Sequence, residues 1–465
     1  MKHYIGKIHL KWCPKCNIPL LGRKCGICGE ESLNVKITPP GDVRIGFRYD
    51  IEFLNDVLKK EYGINDKTES FILLNKLTGF EEGYEIISDG EVKYILYYNE
   101  KLKDWKIKLK TFGAYTLYNK GANKKIIKID ENLSKIIKKG MTILKPGIVE
   151  YKEFKKDDDV IILNYKNEVI GVGKALVSSE DIENLDKGKI IKVREIRKIN
   201  NNDFKKYSFD EAINLTIKAN EEVIKKYEQN AIGFIKNTVE KINRPVIVAY
   251  SGGKDSLTTL ILVKKALSNF DVLFIDTGLE LPETLENIKE VEDTYNIKVN
   301  VIKSPNFWEL VDKYGVPARD YRWCSDILKL NPLKEYLEKN YKDDVLSFVG
   351  IRKYESFNRA KKKLVHRNTY IKKQINALPI FHWSALHVWI YLLKENAPYN
   401  KLYEKGFDRI GCYICPAMGL GEIERIKKLY PNLWDRWERK LKEFAKKNNL
   451  SEDWVKSGWR WKNKK

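Results

Sequence analysis

Seven cysteines and one glycine-rich hexapeptide are the residues of this chain best suited to chemistry. Cys13 and Cys16 are followed, after eight residues, by Cys25 and Cys28. Two C-x-x-C turns at that spacing can aim four thiolates at the corners of a tetrahedron, with Gly26 and Gly29 easing the backbone. Zn²⁺ suits a closed all-sulfur site, and a rubredoxin-like iron site is the alternative. So small a module has almost no core of its own, so the metal supplies most of its folding free energy. Ser251-Gly252-Gly253-Lys254-Asp255-Ser256 lies between the apolar run Pro245 to Tyr250 and an apolar stretch from Leu257 to Val263. Strand, glycine turn and helix N-terminus together form an anion site, where backbone N–H groups face a phosphate and the helix end adds partial positive charge. Lys254 adds a full charge, and Ser251 and Ser256 add hydroxyl donors. Cys324, Cys412 and Cys415 remain. Three thiolates on a [4Fe–4S] cluster would leave one iron without a protein ligand and open to hydrosulfide. Zinc completed by His382 or His387, or three packed thiols, are the other readings.

The elements that must position these groups show in the hydrophobic pattern. Val272 to Gly278 reads as a second strand that ends in a turn at Asp276, Thr277 and Gly278. Glu280 to Thr284 then opens a helix with Pro282 near its first turn, and Ile297 to Ile302 is a third strand. This alternation implies a doubly wound parallel sheet with its ligand crevice at the strand C-terminal ends, beside the phosphate loop. Phe209 to Ile242 reads as one or two amphipathic helices. Lys124 to Lys198 is rich in short alternating strands. Residues 39–123 mix a helix, Ile51 to Tyr62, with strands such as Val92 to Tyr98, and show no chemistry. The expected organisation is multidomain: a zinc ribbon at 1–38, a small α+β domain at 39–123, a β-barrel at 124–198, and an α/β domain with leading helices at 205–465.

A chain of 465 residues exceeds one ordinary domain, and 43 % hydrophobic content with 11 Trp and 26 Tyr excludes disorder as its dominant state. The 86 basic against 64 acidic residues give a net charge of +22. That excess suits a polyanion, although a Lys-rich surface accounts for it equally well. Met1 to Leu10 lacks the form of a secretion signal and no apolar run reaches a membrane span, so a soluble, cytoplasmic protein is expected. Clustered cysteines, odd in number, favour metal ligation over a disulfide framework.

Two resemblances extend these readings. Gly140 to Ile148, Lys155 to Leu163 and Val169 to Ala175 resemble the PUA domain, a small barrel found on RNA-modifying enzymes, which implies RNA contact. SGGKDS resembles the PP-loop of ATP pyrophosphatases, and its spacing does not match the Walker loop. The segments Asp276-Thr277-Gly278 with Pro282-Glu283-Thr284, Arg322-Trp323-Cys324 with Pro332-Leu333, and Gly350 to Ser356 with Arg359 resemble the phosphoadenylylsulfate (PAPS) reductase family, whose domain has the adenine nucleotide alpha hydrolase-like fold. So do Trp383, Val388-Trp389, and Pro398 to Tyr403 before Ile410-Gly411-Cys412. The resemblance implies that Ser251, Gly252, Gly253, Lys254, Asp255, Ser256, Asp276, Thr277 and Gly278 hold ATP, and that Arg352 and Arg359 hold phosphate or adenylate. It also implies that the fold brings Cys324 to Cys412 and Cys415. Three departures matter. Family reductases usually lack the loop lysine, which is Lys254 here; they carry a nucleophilic cysteine in a C-terminal ECG-x-H segment, whereas no cysteine follows Cys415; and their iron–sulfur members have a Cys-Cys pair where this chain has Trp323-Cys324.

These signals together are those of an enzyme: a PP-loop ATP pyrophosphatase that transfers sulfur to a base in RNA, with tRNA the expected partner. ATP would bind with Mg²⁺, a base carbonyl oxygen would attack the α-phosphate, and sulfur carried by the cluster would displace AMP, with Lys254, Asp255, Arg352 and Arg359 catalytic. The alternatives are a PAPS or adenylylsulfate reductase and a non-enzymatic RNA-binding protein. The sulfur or electron donor is not legible. Lys361-Lys362-Lys363, Arg367, Lys372 and Lys373 form a basic run that is either an RNA path or a solvated face. The tail with Trp454, Trp459, Arg460 and Trp461 is expected to pack on the sheet, with base stacking as the alternative.

Overall fold

The computed structural model describes residues 8–65, 67–199 and 204–463. The chain divides into two compact units, Lys7–Asn220 and Glu221–Lys465.

The N-terminal unit holds three sheets. β1 (Leu10–Cys13) pairs antiparallel with β2 (Ile18–Leu20) and β3 (Leu33–Val35), a three-stranded ribbon that carries the four clustered cysteines. β4 (Arg44–Ile45), β5 (Leu73–Lys76), β6 (Gly83–Ser88), β7 (Glu91–Asn99) and β8 (Asp104–Leu109) form an antiparallel meander. α1 (Arg48–Tyr62) packs on β8, and α2 (Thr111–Asn119) follows it in sequence. The barrel strands are β9 (Ile126–Ile129), β10 (Thr142–Leu144), β11 (Ile148–Tyr151), β12 (Asp159–Leu163), β13 (Val169–Ala175) and β14 (Lys189–Ile196), with the short α3 (Glu131–Ile136) between the first two. Their order is β10-β14-β13-β12-β9-β11, antiparallel except for β9 beside β12.

The meander and the barrel share apolar packing. Leu54, Tyr94 and Leu109 lie in one buried cluster with Ile126, Ile161 and Val172, because α2 packs on both β7 and β13. The ribbon is likewise seated on a helix. α4 (Phe209–Ile242) is a single 34-residue helix, and its residues up to Asn220 belong to this unit. Ala219 and Leu215 join the cysteines in one cluster, and the Gly26 N–H donates to Ala219 O at 3.0 Å. Asn220 donates to Pro19 O at 3.0 Å and accepts from Leu21 N–H at 2.6 Å. The ribbon therefore borrows a core as well as offering a metal site, which adds to the single source of stability expected from its size.

In the C-terminal unit, β15 (Val246–Ala249), α5 (Lys254–Ala266), β16 (Asp271–Asp276), α6 (Pro282–Tyr295) and β17 (Val299–Lys303) alternate as right-handed crossovers require. α7 (Phe307–Tyr314) follows. α8 (Trp323–Ser325) then runs through a π-helical turn, Asp326–Leu330, into α9 (Asn331–Asn340). β18 (Val345–Val349), α10 (Phe357–Ala360), β19 (Val365–Arg367), β20 (Gln374–Ala377) and α11 (Ala385–Lys394) complete the sheet layer. The strand order is β17-β16-β15-β18-β20-β19, parallel except for β19 against β20. The order reverses between β15 and β18, and their C-terminal ends flank the crevice such a sheet offers a ligand.

α12 (Leu420–Leu429) and α13 (Pro431–Lys447) close this unit. Here the tail differs from expectation. Trp459 is 1 % exposed and meets Trp437 of α13 edge-on at 5.4 Å, while Trp454 stacks on Phe444. The tail packs on a helix rather than on the sheet, because α13 presents an aromatic stripe there. Among the described residues, no helix is long and apolar enough to cross a membrane.

Candidate active site and metal centres

β15 buries Val246, Ile247 and Val248, and its hydrogen bonding to β16 continues to the Tyr250 N–H, which donates to Leu273 O at 2.9 Å. The chain then turns through Ser251, Gly252 and Gly253 into α5. Gly252 has φ +72°, and a Cβ there would stand 2.7 Å from Thr284 Cγ2, so conformation and space both require glycine. The Ser256 hydroxyl donates to Gly253 O at 2.9 Å, accepts from Ser251 N–H at 3.2 Å and lies 3.1 Å from Ser251 Oγ. The Lys254 N–H donates to the Tyr403 hydroxyl at 2.9 Å.

Lys254 and Asp255 open α5, and both side chains turn inward. Asp255 accepts from Lys254 Nζ at 2.8 Å and from Arg352 Nε at 2.7 Å. Arg352, 2 % exposed, arrives from the turn after β18. Gly350 makes that approach possible, since a Cβ there would stand 2.5 Å from Asp255 O and 2.7 Å from Ser256 N. Burial alone would raise the Asp255 carboxyl, but Arg352 and then Lys254 outweigh it and hold it below the usual range. Burial would likewise lower Lys254, and Asp255 outweighs that, keeping the ammonium charged. Two cations on one carboxylate leave a net positive charge at a helix N-terminus, which suits a polyphosphate. Arg359 is half-exposed and pairs with Glu355, whose carboxylate also accepts the Arg352 N–H at 2.9 Å.

The β16 turn forms the second wall. Asp276 accepts from Gly278 N–H at 2.9 Å. Glu280 accepts from Thr277 N–H at 3.0 Å, Thr277 Oγ1 at 2.7 Å and Leu279 N–H at 3.1 Å. Burial holds the Glu280 carboxyl above its usual range although the Thr277 hydroxyl works against it. Thr277 Oγ1 lies 3.7 Å from Cys412 Sγ, so this turn touches both the phosphate-loop crevice and the cysteine region.

Cys324, Cys412 and Cys415 border one cavity of about 210 Å³, together with Arg322, Lys329 and Arg409. Burial pushes the Cys324 and Cys412 thiols up, while Arg322 and Lys329 respectively pull them down. Neither histidine considered as a fourth ligand borders this cavity. His387 Nδ1 lies 2.6 Å from Ser384 Oγ, with its ring against Tyr227, and His382 packs edge-on to Phe381. His387 is tied to the start of α11 and His382 is exposed just before it, which removes the proposed zinc–histidine completion. In the N-terminal unit, the ligand atoms of Cys13, Cys16, Cys25 and Cys28 all lie within 4.8 Å of one another. Burial pushes the Cys13 thiol up to about 11, whereas the Glu30 N–H and the neighbouring cysteines overcome burial and bring Cys28 down to about 7. Four sulfurs so close form a donor set that one tetrahedral ion would satisfy.

Sequence reasoning missed Gly350, Glu280 and the basic lining of the cysteine cavity. Gly350 and Glu280 stood inside quoted motifs, so the signal was present but their contacts were not.

Residues 245–418 match the phosphoadenosine phosphosulfate reductase domain family, and residues 125–197 match the PUA domain. Uncharacterized protein MJ0066 of Methanocaldococcus jannaschii is 61 % identical, over 100 % of this chain and 98 % of that protein. Adenosine 5'-phosphosulfate reductase of Geobacillus thermodenitrificans is 29 % identical over 38 % of this chain and 74 % of its own length. Among solved structures, the PAPS reductase of Candida auris in a phosphate complex covers 41 % of this chain and 95 % of its own, at 19 % identity and a TM-score of 0.33. A PUA domain protein of Thermoplasma acidophilum covers 33 % of this chain and 93 % of its own, at 15 % identity and a TM-score of 0.27. With the phosphate loop, the parallel sheet, the barrel and the four-cysteine ribbon in place, the chain belongs to the PAPS reductase-like family and joins that domain to a PUA domain and an N-terminal four-cysteine ribbon.

Proposed function

We propose that this protein is an ATP-dependent sulfurtransferase that acts on a base in RNA, with tRNA the expected substrate. The observation that carries the reading is the Thr277–Cys412 contact, which sets the three-cysteine cavity against the turn that walls the phosphate-loop crevice. The backbone of Ser251 to Gly253 and the N-terminus of α5 hold the β- and γ-phosphates of Mg²⁺-bound ATP. Lys254, kept charged by Asp255, offsets the charge of departing pyrophosphate. Arg352 holds Asp255 in place, and Arg359 pairs with Glu355, whose carboxylate accepts the Arg352 backbone N–H. The base carbonyl oxygen bonds to the α-phosphorus, the bond to the β-phosphate oxygen breaks, and pyrophosphate leaves. A C–S bond then replaces the C–O bond to the adenylate, and AMP leaves. Three thiolates at a cavity with Arg322, Lys329 and Arg409 fit an anionic [4Fe–4S] cluster; when bound, it supplies an iron free of protein thiolate where sulfide can be held. Zn²⁺ is the ion proposed for the ribbon. The whole protein works in the cytoplasm.

The test is anaerobic purification of the full chain, iron and zinc analysis, and pyrophosphate release from ATP with and without bulk tRNA. RNA-stimulated pyrophosphate release, lost in Lys254→Ala, is expected. The likeness to adenosine 5'-phosphosulfate reductases favours a second reading, reduction of a nucleotide sulfate. Sulfite formed from adenylyl sulfate and a reductant, with no pyrophosphate from ATP, would establish that reading instead. RNA binding with neither product would leave a non-enzymatic role.

A further inference from the structure

The N-terminal unit contains a cleft of about 640 Å³ that the proposed chemistry does not use. Its wall presents Phe112 and Tyr115 of α2 with Lys120 just past the end of that helix, and Phe204 completes it. The Phe112 and Tyr115 rings lie 6.3 Å apart at an interplanar angle of 27°, and Phe204 meets Phe112 edge-on at 5.8 Å. Beneath them Lys93, 0 % exposed, places its ammonium 2.9 Å from Glu69 and 2.6 Å from Asp89, and 5.5 Å from the Phe112 ring centroid. Lys206 also donates to Asp89, at 2.7 Å. These two acids and two lysines cancel in charge and fix a rigid polar floor. Thr68 Oγ1, at the same wall, is buried with no hydrogen-bond partner. Lys67, Lys120 and the acid Glu52, all exposed, also line the cleft.

Flat aromatic rings, the Glu52 carboxylate with the unpartnered Thr68 hydroxyl, and lysines at the mouth are the three elements that take up an unstacked base: a stacking surface, an edge reader and a phosphate contact. We propose that this cleft receives an unpaired base of single-stranded RNA, with the half-buried Tyr115 as the stacking surface, backed by the buried Phe112, and Lys67 and Lys120 on the flanking phosphates. The inference rests on the RNA partner proposed above and deepens it. α2 packs on β12 and β13 of the barrel while it forms the cleft wall, so barrel and cleft can engage one strand within a single compact unit. The exposed carboxylate of Glu52 favours bases that present amino groups, namely adenine, cytosine and guanine, over uracil.

The experiment is fluorescence anisotropy of the full-length protein with labelled 12-mers of oligo(A), oligo(C) and oligo(U), and with a 12-base-pair RNA duplex, at several salt concentrations. Single strands should bind more tightly than the duplex, and oligo(U) less tightly than oligo(A) or oligo(C). Tyr115→Ala should weaken oligo(A) about tenfold while Tyr115→Phe keeps it, as stacking requires. The exposed pair Lys67→Ala with Lys120→Ala cannot disturb the core; it should weaken every single strand and lower the salt slope by about 1 to 2. A 2-aminopurine base within oligo(A) should be quenched on binding, and less so in Tyr115→Ala. Wild-type affinity in both Tyr115→Ala and the double lysine variant would overturn the proposal. So would equal binding of duplex and single strand, or a poly-glutamate peptide bound with the same sensitivity to these variants. Lys254→Ala lies in the other unit, so loss of ATP cleavage with RNA binding retained separates failure of the catalytic reading from failure of the cleft.

Discussion

The two cysteine sites use the same side chain for different ends. In the ribbon, four sulfurs lie within 4.8 Å of one another, three of the cysteines are buried, and the surroundings are β-strands and the apolar face of α4. In the C-terminal unit, three half-buried cysteines border a cavity with three cationic side chains, and one of them touches the turn beside the phosphate loop. A full donor set with no room for a further ligand holds a fold together. An incomplete set beside a cavity can hold a reactant. Donor number and surroundings, rather than the presence of cysteine, separate structure from chemistry here.

That contrast can be broken most severely at the ribbon. Cys13→Ser with Cys25→Ser, or a strong chelator, should remove the bound ion and unfold the ribbon, since structural zinc contributes on the order of 10 kcal/mol. Metal stoichiometry and the melting of the N-terminal unit would report it, and an unchanged melt would show that the seat on α4 suffices. Cys324→Ser should behave oppositely: iron content and sulfur transfer fall at least 100-fold while the melting temperature stays within a few degrees. Gly350→Ala, by pushing β18's turn off Asp255, should weaken ATP binding about tenfold and cost about 1–3 kcal/mol of stability. Isothermal calorimetry with ATP and denaturant titration would measure both.

The smallest effect concerns Asp89. Burial would raise its carboxyl, but Lys93 and then Lys206 lower it from 3.8 to about 2. A depressed carboxylate stabilises the folded state above its unfolded value and loses that contribution as pH falls through the folded one. Asp89 should therefore contribute about 2 kcal/mol at neutral pH, lost between about pH 4 and pH 2. Denaturation of Asp89→Asn against the parent across that range should show the difference shrink towards acid.

Much of this was legible because local pattern carries it. The run from Val246 to Ala249, the SGGKDS turn and the C-x-x-C pairs each specify their own backbone, and the structure holds each as expected. What the sequence hid are partnerships between distant residues. Nothing near Asp255 announces Arg352, 97 positions away, and Gly350 has meaning only once β18 lies beside β15. The histidines misled for the same reason: their chemistry suits a metal, yet Ser384 and Tyr227 hold His387 away from the sulfurs. Residues 39–123 showed no chemistry in sequence, and the cleft is assembled only when α1, α2, the loop with Glu69 and the turn at Asp89 meet Phe204, Lys206 and Phe209.

The most direct test follows sulfur itself. The anaerobically purified full chain is given ATP, Mg²⁺, tRNA and radiolabelled sulfide, and both the digested nucleosides and the solution are analysed. The expected result is label in a thiolated nucleoside, one pyrophosphate released for each, and no label in RNA with Cys412→Ser. Label absent from RNA, together with sulfite formed from adenylyl sulfate in the absence of ATP and RNA, would contradict it.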